Sequence, residues 1–309
     1  MKHLIPLQAL LALFACAFLP LHAASLADLT YTTTNGEVTI TYCDDAATGE
    51  LVIPATIEGS PVTSIGGGAF TGCTSLTSIT IPDSVTSIGD YAFVVCTSLT
   101  SITIPDSVTS IGYEAFAECT NLKSITIPDS VTSIGEGTFG GCDGLTSITI
   151  GNGVTSIGRA AFYYCTSLTS ITIPDGVTSI GERAFYNCTS LTSITIPDSV
   201  TSIGYQTFYE CTSLTSITIG NGVTSIGGFA FYECTSLTSI TIGNGVTNIG
   251  DGAFGGCDSL TSVTFLGDAP KIGDSAFEKS SPTIYREADA KGWGDTLAGR
   301  PVKLITEKP

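Results

Sequence analysis

From Cys73 onward the apolar residues of this chain fall in one arrangement that is written again and again. With each Cys counted as place 1, the unit reads C-x-x-L-x-x-I-x-I-x-x-x-V-x-x-I-G-x-x-A-F-x-x, with apolar letters at places 1, 4, 7, 9, 13, 16, 20 and 21. Phe stands at 70, 93, 116, 139, 162, 185, 208, 231, 254 and 277, and Cys at 73, 96, 119, 142, 165, 188, 211, 234 and 257, each time 23 residues on. A fixed period of this length is the signature of a solenoid in which each unit forms one turn.

The spacing inside the unit predicts its local structure. Ser78-Ile79-Thr80-Ile81 alternates hydroxyl and β-branched apolar residues, so it reads as a short strand with Ile79 and Ile81 inward. Pro82 ends the strand, and Pro-Asp-Ser, or Gly-Asn-Gly at 151–153, 220–222 and 243–245, turns the chain. Val85 to Ile88 predicts a second extended piece, Gly89 a reversal, and the Ala-Phe segment a single helical or 3-10 turn on the side opposite the strands. One such unit cannot bury its apolar row alone, so copies must stack on copies in register. The expected architecture is a repeat solenoid with a parallel β-sheet of about ten turns.

Both ends depart from the period. Tyr31 to Tyr42 reads as a hairpin closed by Asn35-Gly36, and Leu51-Val52-Ile53-Pro54 opens a degenerate first turn. Beyond Phe277 the Cys column passes to Ser280, a strand-like Thr283-Ile284-Tyr285 follows, and the last stretch holds Trp293, Arg300 and Pro301. The expected division is a signal peptide at 1–24, a hairpin cap at 25–50, the repeat array at 51–285 and a closing cap at 286–309.

The leader rests on order along the chain. Lys2 is followed by an apolar run from Leu4 to Leu21 and by small residues around Ala23, which is the layout of a removable secretory signal with cleavage near Ala23 or Ala24. No membrane span is expected once it is removed. His3 and His22, the two histidines of the chain, leave with it.

Charge narrows the function further. Across 309 residues 28 acids face 11 bases, a net −17 that becomes −18 when Lys2 is lost, and such a surface repels a phosphate backbone; nucleic acid is not an expected partner. With no imidazole left and no unique pair of acids outside the repeat pattern in an obvious pocket, general acid–base and nucleophilic chemistry lack their usual groups, so no enzyme, catalytic residue or cofactor is expected.

Several columns carry candidate chemistry. The Cys row faces the core and reads as buried free thiols filling small apolar space; without His or C-x-x-C it offers no zinc set. Outward Ser (78, 101, 124 and on) and Thr (80, 103, 126 and on) form two hydroxyl rows that solvate the strand face. Asp83, Asp106, Asp129, Asp175 and Asp198 share place 11, where Asp is common for local turn bonding, so no metal is expected. Variation gathers at places 18, 19, 22 and 23. Tyr163, Tyr186, Tyr209 and Tyr232 occupy place 22 of four successive units, flanked by Tyr164, Glu210 and Glu233; these seven are the candidate partner-binding residues, since aromatics give large contact area at small entropic cost. The competing reading is that the rings only roof the Phe core.

The unit L-x-x-I-x-I-P-x-x-V-x-x-I-G-x-x-A-F-x-x-C resembles the 23-residue leucine-rich repeat of bacterial BspA-like surface proteins over about residues 51–285. The resemblance implies a leucine-rich-repeat horseshoe with its parallel sheet on the concave side. It also implies an exported or cell-surface binding scaffold that engages protein or glycan, such as host extracellular matrix or another cell. A structural role in a surface layer or matrix, with self-association and no specific ligand, is the alternative.

Overall fold

The computed structural model describes residues 23–308. The expected leader, with both histidines, lies outside the described residues except for Ala23 and Ala24, and the Ala24 N–H donates to the Thr48 carbonyl at 2.9 Å. Among the described residues no helix is long and apolar enough to cross a membrane.

The chain winds as a β-solenoid whose turns are joined along three lines. On the first, the Ser-Ile-Thr-Ile strands pair in parallel, Ser193↔Ser216 and Ile194↔Ile217 among them, so that each residue meets its own counterpart one period later. On the second, the two-residue strands that end at place 16 pair the same way, as in Ser202↔Ser225 and Ile203↔Ile226. Both ladders are interrupted at one junction, between Ser101–Thr103 and Ser124–Ile127 on the first and between Ser110–Ile111 and Ser133–Ile134 on the second.

The third line runs through the Ala-Phe segment and is unbroken. Here the N–H groups at places 19, 21 and 23 all donate to the carbonyls at places 18, 20 and 22 of the following turn, as Arg183 to Tyr205 (3.0 Å), Phe185 to Thr207 (2.9 Å) and Asn187 to Tyr209 (2.8 Å). This segment is therefore not the helical or 3-10 turn that the sequence suggested; 3-10 helix occurs among the described residues only at Leu26–Asp28 and Ile305–Glu307. The reason is conformational. Places 19 and 23 are left-handed in all ten turns, for instance Arg183 at φ +56° and Asn187 at +58°, and a left-handed residue every fourth place turns the N–H groups toward the neighbouring turn instead of up a helix.

Inside, the Phe column from Phe70 to Phe277 stacks with ring centroids 5.0–5.6 Å apart, and from Phe70 to Phe254 no ring has accessible surface. Leu, Ile, Val and Cys columns fill the rest of the core. The ten described cysteines are unbridged and buried, yet the repeat thiols do more than occupy volume. From Cys96 on, each Sγ reaches the Phe carbonyl of the preceding turn, as Cys188 to Phe162 at 3.2 Å, and Ser280 makes the same bond to Phe254 at 3.1 Å where the column changes residue. Burial pushes the Cys211 and Cys257 thiols up to about 12. The recurring Gly at place 17 answers a close approach of backbones: a Cβ on Gly158 would sit 2.6 Å from the Gly135 carbonyl carbon.

At the start, β1 (Leu29–Thr34) and β2 (Glu37–Cys43) form the antiparallel hairpin, with Asn35 at φ +54° and Gly36 at +82° in its tight turn. Strand β2 then lies parallel on Ser60–Ile65. At the far end Thr283–Arg286 and Arg300–Leu304 extend the first ladder, and Trp293 closes the core by resting against Phe265 with centroids 5.1 Å apart while its Nε1 donates to the Gly267 carbonyl.

Candidate functional site

The left-handed row decides what each turn shows to solvent. Side chains at places 19, 22 and 23 project from the third line and lean over the next turn. A Cβ built on Gly137 would meet Glu114 Cγ at 2.7 Å, and one on Gly252 would meet the Phe229 ring at 2.7 Å. In three turns places 19 and 23 are both Gly (68 and 72, 137 and 141, 252 and 256), and in the other seven neither is. The surface is thus a set of clothed turns punctuated by bare ones.

Four clothed turns in a row carry the sequence-predicted residues, and the structure brings the rings together. Tyr163, Tyr186, Tyr209 and Tyr232 stack with centroids 5.0, 4.7 and 5.3 Å apart and planes within 26° of parallel. Tyr164, 39% exposed, tilts against both Tyr163 (4.6 Å) and Tyr186 (5.8 Å). Phe229 meets Tyr232 edge-on at 5.4 Å and Tyr205 at 5.9 Å. The four place-22 rings are half-buried, so they roof the layer beneath and face solvent at once.

Of the two flanking acids Glu210 is hydrogen-bonded. Glu210 accepts from Asn187 Nδ2 at 3.0 Å, and beside it Arg183 Nε donates to Gln206 at 2.8 Å. Glu233 lies over Gly256. Burial, followed by the neighbouring Glu210 charge, pushes the Tyr186 hydroxyl up to about 12 and raises that of Tyr209, so these two present neutral O–H groups over the physiological range. For Tyr163 burial again comes first, then the adjacent Tyr164.

Sequence reading passed over the neighbouring depression. Where place 22 falls to Ala117 and Gly140, a groove of about 430 Å³ opens against Tyr163 and Tyr164, with Glu114, Glu118 and Asp143 on its sides. The signal was present as a break in the place-22 column, where Tyr163 gives way to Gly140 and Ala117, but missing side chains acquire meaning only once the turns are stacked.

On the opposite side, hydroxyls serve the backbone. Thr at places 5 and 14 donates to the carbonyl one turn back, as Thr215 to Thr192 (3.1 Å) and Thr224 to Thr201 (3.0 Å). In the place-11 row Asp129 and Asp198 each accept the backbone N–H of the residue 23 further on, at 2.6 Å, a turn-to-turn clamp.

The BspA type leucine rich repeat region matches in six copies over residues 50–169 and 155–283. Among solved structures the chain is similar to a leucine rich cell surface protein from Faecalibacterium prausnitzii, at 29% identity over 85% of this chain and 88% of that one, with a TM-score of 0.50. It is also similar to a leucine rich repeat protein of T. pallidum, at 29% identity over 70% and 91%, with a TM-score of 0.51. No protein among curated sequences matches.

Proposed function

The chain belongs to the BspA-type leucine-rich repeat family, and from that premise we propose that it is an exported, non-enzymatic scaffold that binds a protein or glycan partner at a cell surface through its turn face. The observation that carries this reading is the stacked, half-exposed row Tyr163–Tyr186–Tyr209–Tyr232 on a rigid backbone ladder. Rings held in place by their neighbours lose little further freedom when a partner lands on them, which is what makes ordered aromatics effective contact residues. A leader ending near Ala23 or Ala24 supports export, the absence of His from 25–309 supports a binding role over catalysis, and the Faecalibacterium protein is described as a cell surface protein.

The test is capture of purified extracellular-matrix proteins and surface glycans by the full chain and by the variant Tyr186→Ser, Tyr209→Ser, Tyr232→Ser. Loss of capture in the variant supports the ladder. Equal capture by both removes it.

One observation favours the second reading, self-association into a surface matrix. Residues 23–122 hold 11 acids and no base, whereas residues 271–308 hold 7 bases and 6 acids, so the two ends are electrically unlike. End-to-end association driven by this difference would rise with concentration and weaken with salt in sedimentation velocity.

A further inference from the structure

We propose that the groove beside the tyrosine ladder seats an arginine side chain of a protein partner. The inference deepens the turn-face reading and rests on it. The groove exists because one bare turn, Gly137 to Gly141, follows a clothed one and precedes another. Ala117, Gly140 and Gly141 are among its lining residues, and its about 430 Å³ lies toward the small end of ligand clefts, ~300–1,000 Å³.

Three features select the occupant. The first is the aromatic lining. Tyr163 and Tyr164, whose rings meet at 58° with centroids 4.6 Å apart, both line the cleft. A flat guanidinium stacks on an aromatic face and keeps its N–H groups free at the rim, which an ammonium cannot do.

The second is charge. Glu114, Glu118 and Asp143 line the groove, and among the described residues the one ion pair is Arg159–Glu136 at 2.8 Å, which leaves these three without a Lys or Arg partner. Lys123 reaches as far as Gly144, next to Asp143, but does not line the cleft. Among the described residues no three His, Cys, Asp or Glu side chains converge as a metal set. Carboxylates lining a groove together with Ala117, Gly140 and the two Tyr rings suit a broad planar cation.

The third is placement. Gly137 and Gly141 have no side chains, and the Glu114 and Glu118 side chains occupy that space: a Cβ on Gly141 would come within 2.5 Å of Glu118 Oε1. The bare turn therefore both opens the cleft and sets two carboxylates along it.

Gly140→Tyr gives a clean test. Place 22 carries Tyr in the next four turns, and a Cβ on Gly140 meets nothing nearer than the Gly137 carbonyl at 3.3 Å, so this variant fills the groove and lengthens the ladder while leaving the fold intact. The probe is the capped peptide Gly-Ser-Arg-Ser-Gly, followed by amide chemical shifts of the full chain, against the same peptide with neutral citrulline in place of arginine. The expected result is saturable shifts confined to the Gly137–Asp143 and Tyr163–Tyr164 region. Binding should weaken about tenfold with citrulline and about tenfold with Glu114→Gln, Glu118→Gln, Asp143→Asn, and should be lost in Gly140→Tyr.

A further control, Asp83→Asn, Asp106→Asn, Asp175→Asn, removes the same amount of charge elsewhere and should leave binding unchanged. Equal binding of the two peptides, shifts spread over the acidic surface, or retained binding in Gly140→Tyr would each overturn the proposal. Failure here leaves Tyr186, Tyr209 and Tyr232 untouched, so it is separable from failure of the ladder, which the capture experiment reads on its own.

Discussion

The bare turns at 137–141 and 252–256 and the clothed turns between them follow the same path, donate the same three N–H groups to the next turn, and rest on the same Phe column, yet one kind shows almost nothing to solvent and the other a wall of rings. The backbone does not ask for this. A left-handed residue other than Gly costs on the order of 1 kcal/mol, and the clothed turns accept that cost twice each, at Ala160 and Tyr164, Arg183 and Asn187, Gln206 and Glu210, Phe229 and Glu233. Had the ladder alone governed residue choice, Gly would be the better filling throughout. The difference teaches that the turn face is the place where this solenoid accepts backbone strain in exchange for an exposed surface.

The comparison can be broken most severely from below. Phe139→Ala lies under a bare turn and Phe162→Ala under a clothed one, and each should lower stability by about 3–5 kcal/mol in denaturant unfolding, because the column is equally sealed beneath both. A much smaller loss at Phe139 would show that the core is not uniform and that the outer residues share its work.

A smaller effect sharpens the strain argument. Tyr164→Gly and Glu118→Gly each relieve a left-handed side chain, at φ +57° and +59°, and should stabilise by about 1 kcal/mol, whereas the corresponding Ala variants keep the strain and should not. Destabilisation by Gly at Tyr164 would mean that the ring contributes more to packing than its backbone position costs.

The smallest effect is in pH. The folded state holds the Tyr186 proton up to about 12 against an ordinary value of 10.0, so it binds more protons than the unfolded chain between those limits. The Tyr186 contribution should be constant below about pH 10 and fall from there to about 12, on top of the fall that the buried thiols begin near pH 9; Tyr186→Phe, which keeps the stack, should remove the Tyr186 part of that fall in a Tm series.

Much of the fold was legible because the determining residues recur visibly. Phe, Cys, Ile and Val columns at one period fix which residues face inward, and Gly at place 17 marks the close backbone approach in every unit. The path of the Ala-Phe segment was not legible, because only three of ten turns put Gly at the left-handed places; elsewhere Tyr91, Glu118 or Arg183 stand there and give no hint of a positive φ. The Cys column was half legible: its burial follows from its neighbours, but the bond to the Phe carbonyl appears only where Ser280 is seen to make the same one. The Tyr ladder could be read from four evenly spaced letters. The groove beside it could not, since Ala117, Gly140 and Gly141 signify nothing until a neighbouring turn supplies walls.

In the third line of hydrogen bonds every amide aims the same way, from Gly68 reaching Asp90 through to Gly256 reaching Glu278. Along this line the peptide moments add with the positive pole toward the C-terminal cap, while amides on the other two lines, such as Thr215 to Thr192 and Thr224 to Thr201, aim back toward the N-terminal cap. The C-terminal cap is where the lysines and arginines gather, 7 of the 11 lying in residues 271–308. Acid without base at one end and most of the base at the other give the molecule a direction along its axis: copies side by side in the same sense would set like ends together, and copies in tandem would set unlike ends together.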